Sequence, residues 1–318
     1  MRYCSAMTAH TLAASVETCH WGLFDAALPP VLHVESGDRV VIDTVSGGPN
    51  ALPPAGFQVP LELLDIHARS ERHEPGHILT GPVHVAEAEP GDTLEVRVLD
   101  VTLRQDWGYN VIRPLAGTLP ADFDTSSRLI NIPLDRERLT GRMPWGVDLP
   151  LHPFFGVMGV APPPRWGRIS TIVPRAHGGN LDNKELGPGS SLFLPVHVPG
   201  ALFSCGDGHA AQGDGEVCTT AIETALQGTF ELIVHKRTQL AYPRGETPTH
   251  LITMGMDPDL DQCLAIALRD MIVLLGERAG LSREDAYMLC SLAVDFRITQ
   301  TVNVHRGVHA MLPKALLP

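Results

Sequence analysis

The sequence predicts a mostly β chain that closes on a helical pair, and three observations carry this. Short runs rich in β-branched and alternating apolar residues recur along most of the chain, 30 Gly and 27 Pro are spread throughout rather than gathered in a linker, and helical periodicity appears only late. The strand-like runs are Arg39–Thr44, Thr93–Leu99, Leu192–Val198 and Phe230–Lys236. Two of them follow the same reversal, Ser36-Gly37-Asp38 and Pro90-Gly91-Asp92, where Gly and Asp supply a tight turn. From Pro114 to Pro174 the chain is irregular, with Pro162-Pro163-Pro164 at its centre. Proline cannot donate to a sheet ladder, so this stretch reads as loop, edge strand or short helix, either lining a site or forming a surface insertion.

The first clear helix opens at Asp257-Pro258, read as an N-cap followed by Pro at the first helical position. Its apolar stripe runs Leu260, Leu264, Ile266, Ala267, Met271, Leu274 and Leu275 and stops near Gly280. Ser282-x-x-Asp285 resembles a capping box and opens a second helix to about Ala293, after which Phe296–Val304 reads as a closing strand. The whole of 1–318 reads as one unit, with a β-rich core over about 20–255 interrupted by the 114–174 insertion, and the helical pair and closing strand over 256–318.

Composition narrows the function. Hydrophobic residues at 44% and charged residues at 19% describe a globular chain able to bury a core without staples. A net charge of −12 repels phosphate backbones and anionic lipid, so neither nucleic acid nor membrane is expected as a partner, and a neutral ligand or a bound cation suits the field. The six Cys form no C-x-x-C pair and read as free thiols of a reducing compartment. With no apolar leader at Met1–Val16, and Met271–Leu275 too short to span a bilayer, the expected location is cytoplasmic.

Chemistry concentrates in Gly206-Asp207-Gly208-His209-Ala210-Ala211-Gln212-Gly213-Asp214-Gly215-Glu216. In an extended chain Asp207 and His209 point to one face, and a carboxylate with an imidazole there is a partial ligand set for zinc or a similar ion. Gly213 and Gly215 let the backbone turn Glu216 back toward that spot, Asp214 is read as capping the turn, and Gln212 as orienting a ligand or binding substrate. A second cluster, His177-Gly178-Gly179-Asn180-Leu181-Asp182-Asn183, places Asn180 and Asp182 two apart and offers glycine amides to an oxyanion. Each piece alone is commonly a turn; their joint occurrence points to a site. His77 is a further candidate, while His67 and His73 read as surface residues. Cys205 lies four residues from His209, so a thiol–imidazole pair stays open. There is no G-x-S-x-G elbow and no phosphate-binding G-x-x-x-x-G-K-[ST] loop.

At these residues the sequence resembles the acetamidase/formamidase family. The resemblance rests on Thr80-Gly81-Pro82-Val83, Ala88-Glu89-Pro90-Gly91-Asp92, His177 to Asp182, Leu194 to Phe203 running into Gly206–Glu216, and Asp295-Phe296-Arg297-Ile298-Thr299-Gln300. It covers the chain from about Gly37 to His309 and departs at Val45–Asn50, in the Pro-rich middle, and at Cys205. It implies a β-sandwich-like main domain with a smaller α+β part, hydrolysis of formamide, acetamide or another small neutral amide, and a divalent metal, zinc before calcium. The roles that follow are Asp207 and His209 as ligands with Asp182 a third, Glu216 as general base, Gly178 and Gly179 at the oxyanion, and Asn180, Gln212 and His77 beside the substrate. Glu216 and Asp182 are interchangeable between base and ligand at this level. A different C–N bond, cyclic or N-substituted, and a non-catalytic calcium-binding β module are the alternatives. Exposed sheet edges leave a homodimer open.

Overall fold

The computed structural model describes residues 8–73 and 75–317. Strand accounts for 39% and helix for 16%, in two large sheets with a C-terminal helix pair. One sheet has nine strands and holds Arg39–Asp43, Leu226–His235, Thr93–Leu103 and Ser191–Pro195 side by side. The other has eleven, with Trp107–Ile112, Glu223–Thr224, Phe203–His209, Phe154–Gly159 and Gly178–Asn180 as successive neighbours.

The two sheets share one core. Val40, Ile42, Leu94, Val96 and Phe230 of the first pack with Val83, Phe155, Met158 and Phe203 of the second, and all are buried. Phe230 bridges them, its ring centroid 5.4 Å from Phe155 and 5.8 Å from Phe203. This is sandwich packing, in which alternate residues of each strand point inward and the inner faces interdigitate.

The expected strands are present, with Thr93–Leu103 running four residues past Leu99. The irregular middle needs correction. It contains Phe154–Gly159, a strand buried along its whole length between Phe203–His209 and Gly178–Asn180. The run Phe-Phe-Gly-Val-Met-Gly does not alternate because both faces are covered, which hides it from a period-of-two search.

The helix Leu260–Ala279 is capped by Asp259, not Asp257: the Asp259 carboxylate accepts from the N–H groups of Asp261 and Gln262, and Asp257 lies outside the helix. Gly280, at φ 65°, ends it as expected. Ser282 caps Arg283–Ala293 by accepting from Asp285 N–H. Both helices pack on Leu251, Ala310 and Leu312 of the nine-stranded sheet. The closing strand ends at Gln300, and Thr301–Val304 turns away from it. A helix at Leu61–Arg69 and a final strand at Arg306–Pro313 were not expected. His67 sits on that helix, its Nε2 2.9 Å from the Gly47 carbonyl oxygen, so it is a structural residue rather than a surface one. Cys19, Cys205, Cys218, Cys263 and Cys290 are free thiols, and Cys4 lies outside the described residues. Among the described residues no helix is long and apolar enough to cross a membrane.

Two buried histidines, His177 and His309, and the half-buried His20 tie stability to pH. Burial pushes His20 and His309 down from 6.5 to about 4 and His177 to about 3. Below pH 6.5 the unfolded chain takes up these protons while the folded chain does not, so stability is lost as pH falls from 6.5 toward 4, at about 1.4 kcal/mol per pH unit for each histidine. Imidazole resonances followed by NMR should show His20, His177 and His309 still neutral at pH 5; protonation of them by pH 6 would contradict neutral burial.

Candidate metal centre

Five adjacent strands of the eleven-stranded sheet converge on one floor. Phe203–His209 brings in Asp207 and His209, whose side chains meet although Asp207 has left-handed rather than extended backbone. Glu223 is delivered by the neighbouring strand, where it pairs with His209 on one side and Tyr109 on the other. Asp182 follows directly after Gly178–Asn180, and Glu216 sits in the loop after His209. Three of these carboxylates hold left-handed backbone, with φ of 46° at Asp182, 55° at Asp207 and 44° at Glu216. Non-glycine residues adopt that region at a cost of about 1–3 kcal/mol, a strain that surrounding structure must impose.

The ligating atoms fall into two overlapping sets that share His209: Asp182, His209 and Glu216, and Asp207, His209 and Glu223. Within each set the atoms lie within 4.8 Å of one another. His209 Nε2 is 3.1 Å from Asp207 Oδ2 and 3.4 Å from Glu223 Oε1. The other ring nitrogen, Nδ1, is 2.9 Å from Gln212 Oε1 and donates to it, which turns Nε2 toward the carboxylates. Gln212 also donates from Nε2 to the Asp182 carbonyl at 2.8 Å, tying the two clusters together. Asn303 Nδ2 donates to Asp182 Oδ2, and the turn carrying it is held by Gln300 Oε1, which accepts from the N–H of Val302 and of Asn303.

Four carboxylates and one imidazole, each at most 7% exposed, make a site that needs positive charge. Burial, reinforced by Asp207, holds the Glu223 carboxyl up at about 7 against the opposing pull of His209. Burial and the neighbouring Asp182 raise Glu216 well above the carboxylate range, and burial raises Asp182. Burial would also raise Asp207, but His77 and His209 outweigh it and hold the carboxyl low. Burial would lower His209, yet Glu223 and Asp207 lift it instead. Asp182 Oδ1, His209 Nε2 and Glu216 Oε2 are buried without a hydrogen-bond partner. Such atoms, one imidazole nitrogen and several carboxylate oxygens converging on one spot, fit a divalent cation.

The floor opens into a cavity of about 670 Å³ lined also by His77, Tyr109, Asn180 and Asn303. His77 Nε2 stands 3.7 Å from Asp207 Oδ2. Asn180 donates from Nδ2 to the Ile172 carbonyl at 3.2 Å, and its Oδ1 has no partner. Asp182, Asp207, His209 and Glu216 therefore come together as the sequence suggested, with His77 and Asn180 on the wall.

Other expectations change. Gln212 accepts from His209 and donates to the Asp182 carbonyl and is absent from the cavity lining, a placement that suits the first of its two expected roles, orienting a ligand. Gly178 N–H donates to the Arg175 carbonyl at 3.0 Å, and neither Gly178 nor Gly179 lines the cavity, which removes them as oxyanion donors. The close approach foreseen for these glycines is toward the sheet: a Cβ on Gly178 would lie 2.6 Å from the Met158 carbonyl oxygen. Asp214 pairs with Lys184 at 3.0 Å, away from the floor. Cys205 is buried in the shared core and burial pushes its thiol far up, so it is no nucleophile. Glu223, Asn303 and Tyr109 were missed.

Comparison with known proteins bears on the family of the chain. The chain is 32% identical over 191 residues to the formamidase of Methylophilus methylotrophus, 44% of this chain and 47% of that protein. It spans about half the length of the curated relatives it matches. Two solved structures superpose over nearly the full chain. The acetamidase of Yersinia enterocolitica has a TM-score of 0.86 at 31% identity, covering 99% of this chain and 94% of that one. The acetamidase of Bacillus halodurans has a TM-score of 0.82 at 31% identity, covering 95% and 97%. The profile of the Acetamidase/Formamidase family matches residues 12–166 and 167–317, and the chain belongs to that family.

Proposed function

We propose that this chain hydrolyses the C–N bond of a primary carboxamide, formamide and acetamide being the simplest, to a carboxylic acid and ammonia. The observation that supports this most is the set of buried, converging ligand atoms at the floor of an open cavity, in a member of a family whose relatives are named acetamidase and formamidase. A divalent cation held there supplies Lewis-acid activation of water and of the amide carbonyl. Zinc suits an imidazole nitrogen among carboxylates, whereas a calcium-only module would offer oxygens alone, so His209 argues against the non-catalytic reading.

The chain's own residues do the rest. Asp207 and His209 would hold the ion, with Asp182 on one side of the histidine and Glu223 on the other. Glu216 Oε2 takes a proton from the attacking water and passes it to the leaving nitrogen; burial and Asp182 make its carboxylate a stronger base than a solvated one. The Tyr109 hydroxyl, on the cavity lining beside Glu223, takes the place of the Gly178 and Gly179 amides as the donor for charge on the amide oxygen. Glu216→Gln separates the roles: turnover of acetamide should fall about 10²–10⁴-fold with metal content kept. Loss of metal together with turnover would make Glu216 a ligand and pass the proton to Asp182 or Glu223.

A further inference from the structure

The cavity is large for acetamide. At about 30 Å³ per water-sized group, four heavy atoms fill on the order of 100 Å³, whereas the cavity holds about 670 Å³, a volume typical of sites for much bigger ligands. Its charges are also segregated. Every carboxylate of the lining, Asp182, Asp207, Glu216 and Glu223, lies on the buried floor, while its two guanidinium groups, Arg72 and Arg113, are exposed at the mouth. Neither arginine has a carboxylate within 4.0 Å among the described residues. Arg72 lies over the Trp21 ring, 5.2 Å from its centroid, and Arg113 donates from Nη1 to Thr219 Oγ1 at 3.0 Å.

Arg113 is well placed relative to the floor. It directly follows the strand Trp107–Ile112, whose Tyr109 pairs with Glu223, so about 13 Å of extended chain separates Arg113 from that pair. Its partner Thr219 donates its N–H to the Glu216 carbonyl at 3.1 Å, which fixes the guanidinium to the same loop as the proposed base. Between floor and mouth the wall offers Val111, Leu129 and Val302, apolar surface suited to a methylene chain.

From this segregation we propose that the preferred substrates are primary amides whose acyl chain ends in a carboxylate, the monoamides of dicarboxylic acids. The amide sits on the floor, the methylenes lie along the apolar wall, and the distal carboxylate meets Arg113 with Arg72 beside it. Water adds across the C–N bond, the hydroxyl going to the acyl carbon and a proton to nitrogen, so the products are a dicarboxylate and ammonium. The proposal rests on the amidase reading and adds to it the tail of the substrate.

The test is ammonia release by the metal-containing protein from acetamide, hexanamide and adipamate (the monoamide of adipic acid), repeated with Arg113→Glu. Adipamate should exceed hexanamide in kcat/KM by about tenfold or more at low salt, the margin should shrink at high salt, and Arg113→Glu should abolish or invert it. Ammonia from acetamide and hexanamide with adipamate no better would overturn the carboxylate tail while leaving the amidase reading intact. A margin untouched by Arg113→Glu and by Arg72→Glu would overturn the assignment of the mouth. No ammonia from any of the three would instead sink the amidase reading itself.

Discussion

Gly156→Ala should cost at least about 10²-fold in amide turnover and should strip or displace the bound metal. Gly156 sits in the strand Phe154–Gly159 opposite Asp207, between the pairs Phe155–Gly208 and Val157–Gly206. A Cβ there would lie 2.5 Å from Asp182 Oδ1, 2.6 Å from Asp207 Oδ2 and 2.7 Å from His209 Cε1. Three ligand side chains would have to retreat at once, and they are held by Asn303, by Gln212 and by the sheet. The backbone at Gly156 is ordinary extended strand, so alanine meets no conformational barrier and the damage should stay local. Overpacking of this kind typically costs about 1–3 kcal/mol of stability, so the variant should fold. Elemental analysis and an acetamide assay on the folded variant check this. Full metal content with undiminished turnover would mean that the ion does not sit among these three residues.

His209→Ala should abolish metal binding. His209 is the one nitrogen donor shared by both ligand sets, and the change leaves four buried carboxylates facing one another. Loss of supporting residues around a metal commonly costs 10–100-fold in affinity, and loss of the ligand itself should exceed that. The expected result is a protein without metal and without ammonia release. Gln212→Ala offers a graded comparison, since it frees the ring to rotate without removing it; weakened metal binding is expected there. Wild-type metal affinity in His209→Ala would place the ion elsewhere.

Much of this site was legible in the sequence because its parts carry local signals. Asp207 and His209 alternate in a run of glycines, Glu216 follows a Gly-Asp-Gly turn, and Asp182 closes a second glycine-paired segment. What was hidden is what neighbouring strands contribute. Glu223 stands alone in Ala221-Ile222-Glu223-Thr224-Ala225, and only the pairing of that strand with Phe203–His209 brings it to the floor. A single acid inside an otherwise apolar run was the one available hint. Asn303 reaches Asp182 from 121 residues away through a turn held by Gln300. Gly156 gives no polar signal at all, since its role is the absence of a side chain.

The fold shows the same division. Alternating runs and helix caps mark elements whose two faces differ, so Arg39–Asp43 and the two late helices could be read. The strand Phe154–Gly159 is covered on both faces and carries no alternation, so an inner strand of the eleven-stranded sheet lay within a stretch that reads as loop, edge strand or short helix. The choice between the two roles of Gln212, and the hydrogen bond that occupies the Gly178 amide, were hidden for another reason. Residue type shows which donors exist, but only the fold shows which are already taken.

The most direct test of the central claim is to measure the metal content of the purified protein and its ammonia release from acetamide before and after a chelator, then after zinc is restored. The expected result is close to one divalent ion per chain, loss of ammonia release on chelation and its return with the ion. Undiminished release from protein verified to be free of metal would contradict a metal-dependent site at Asp182, Asp207, His209 and Glu216.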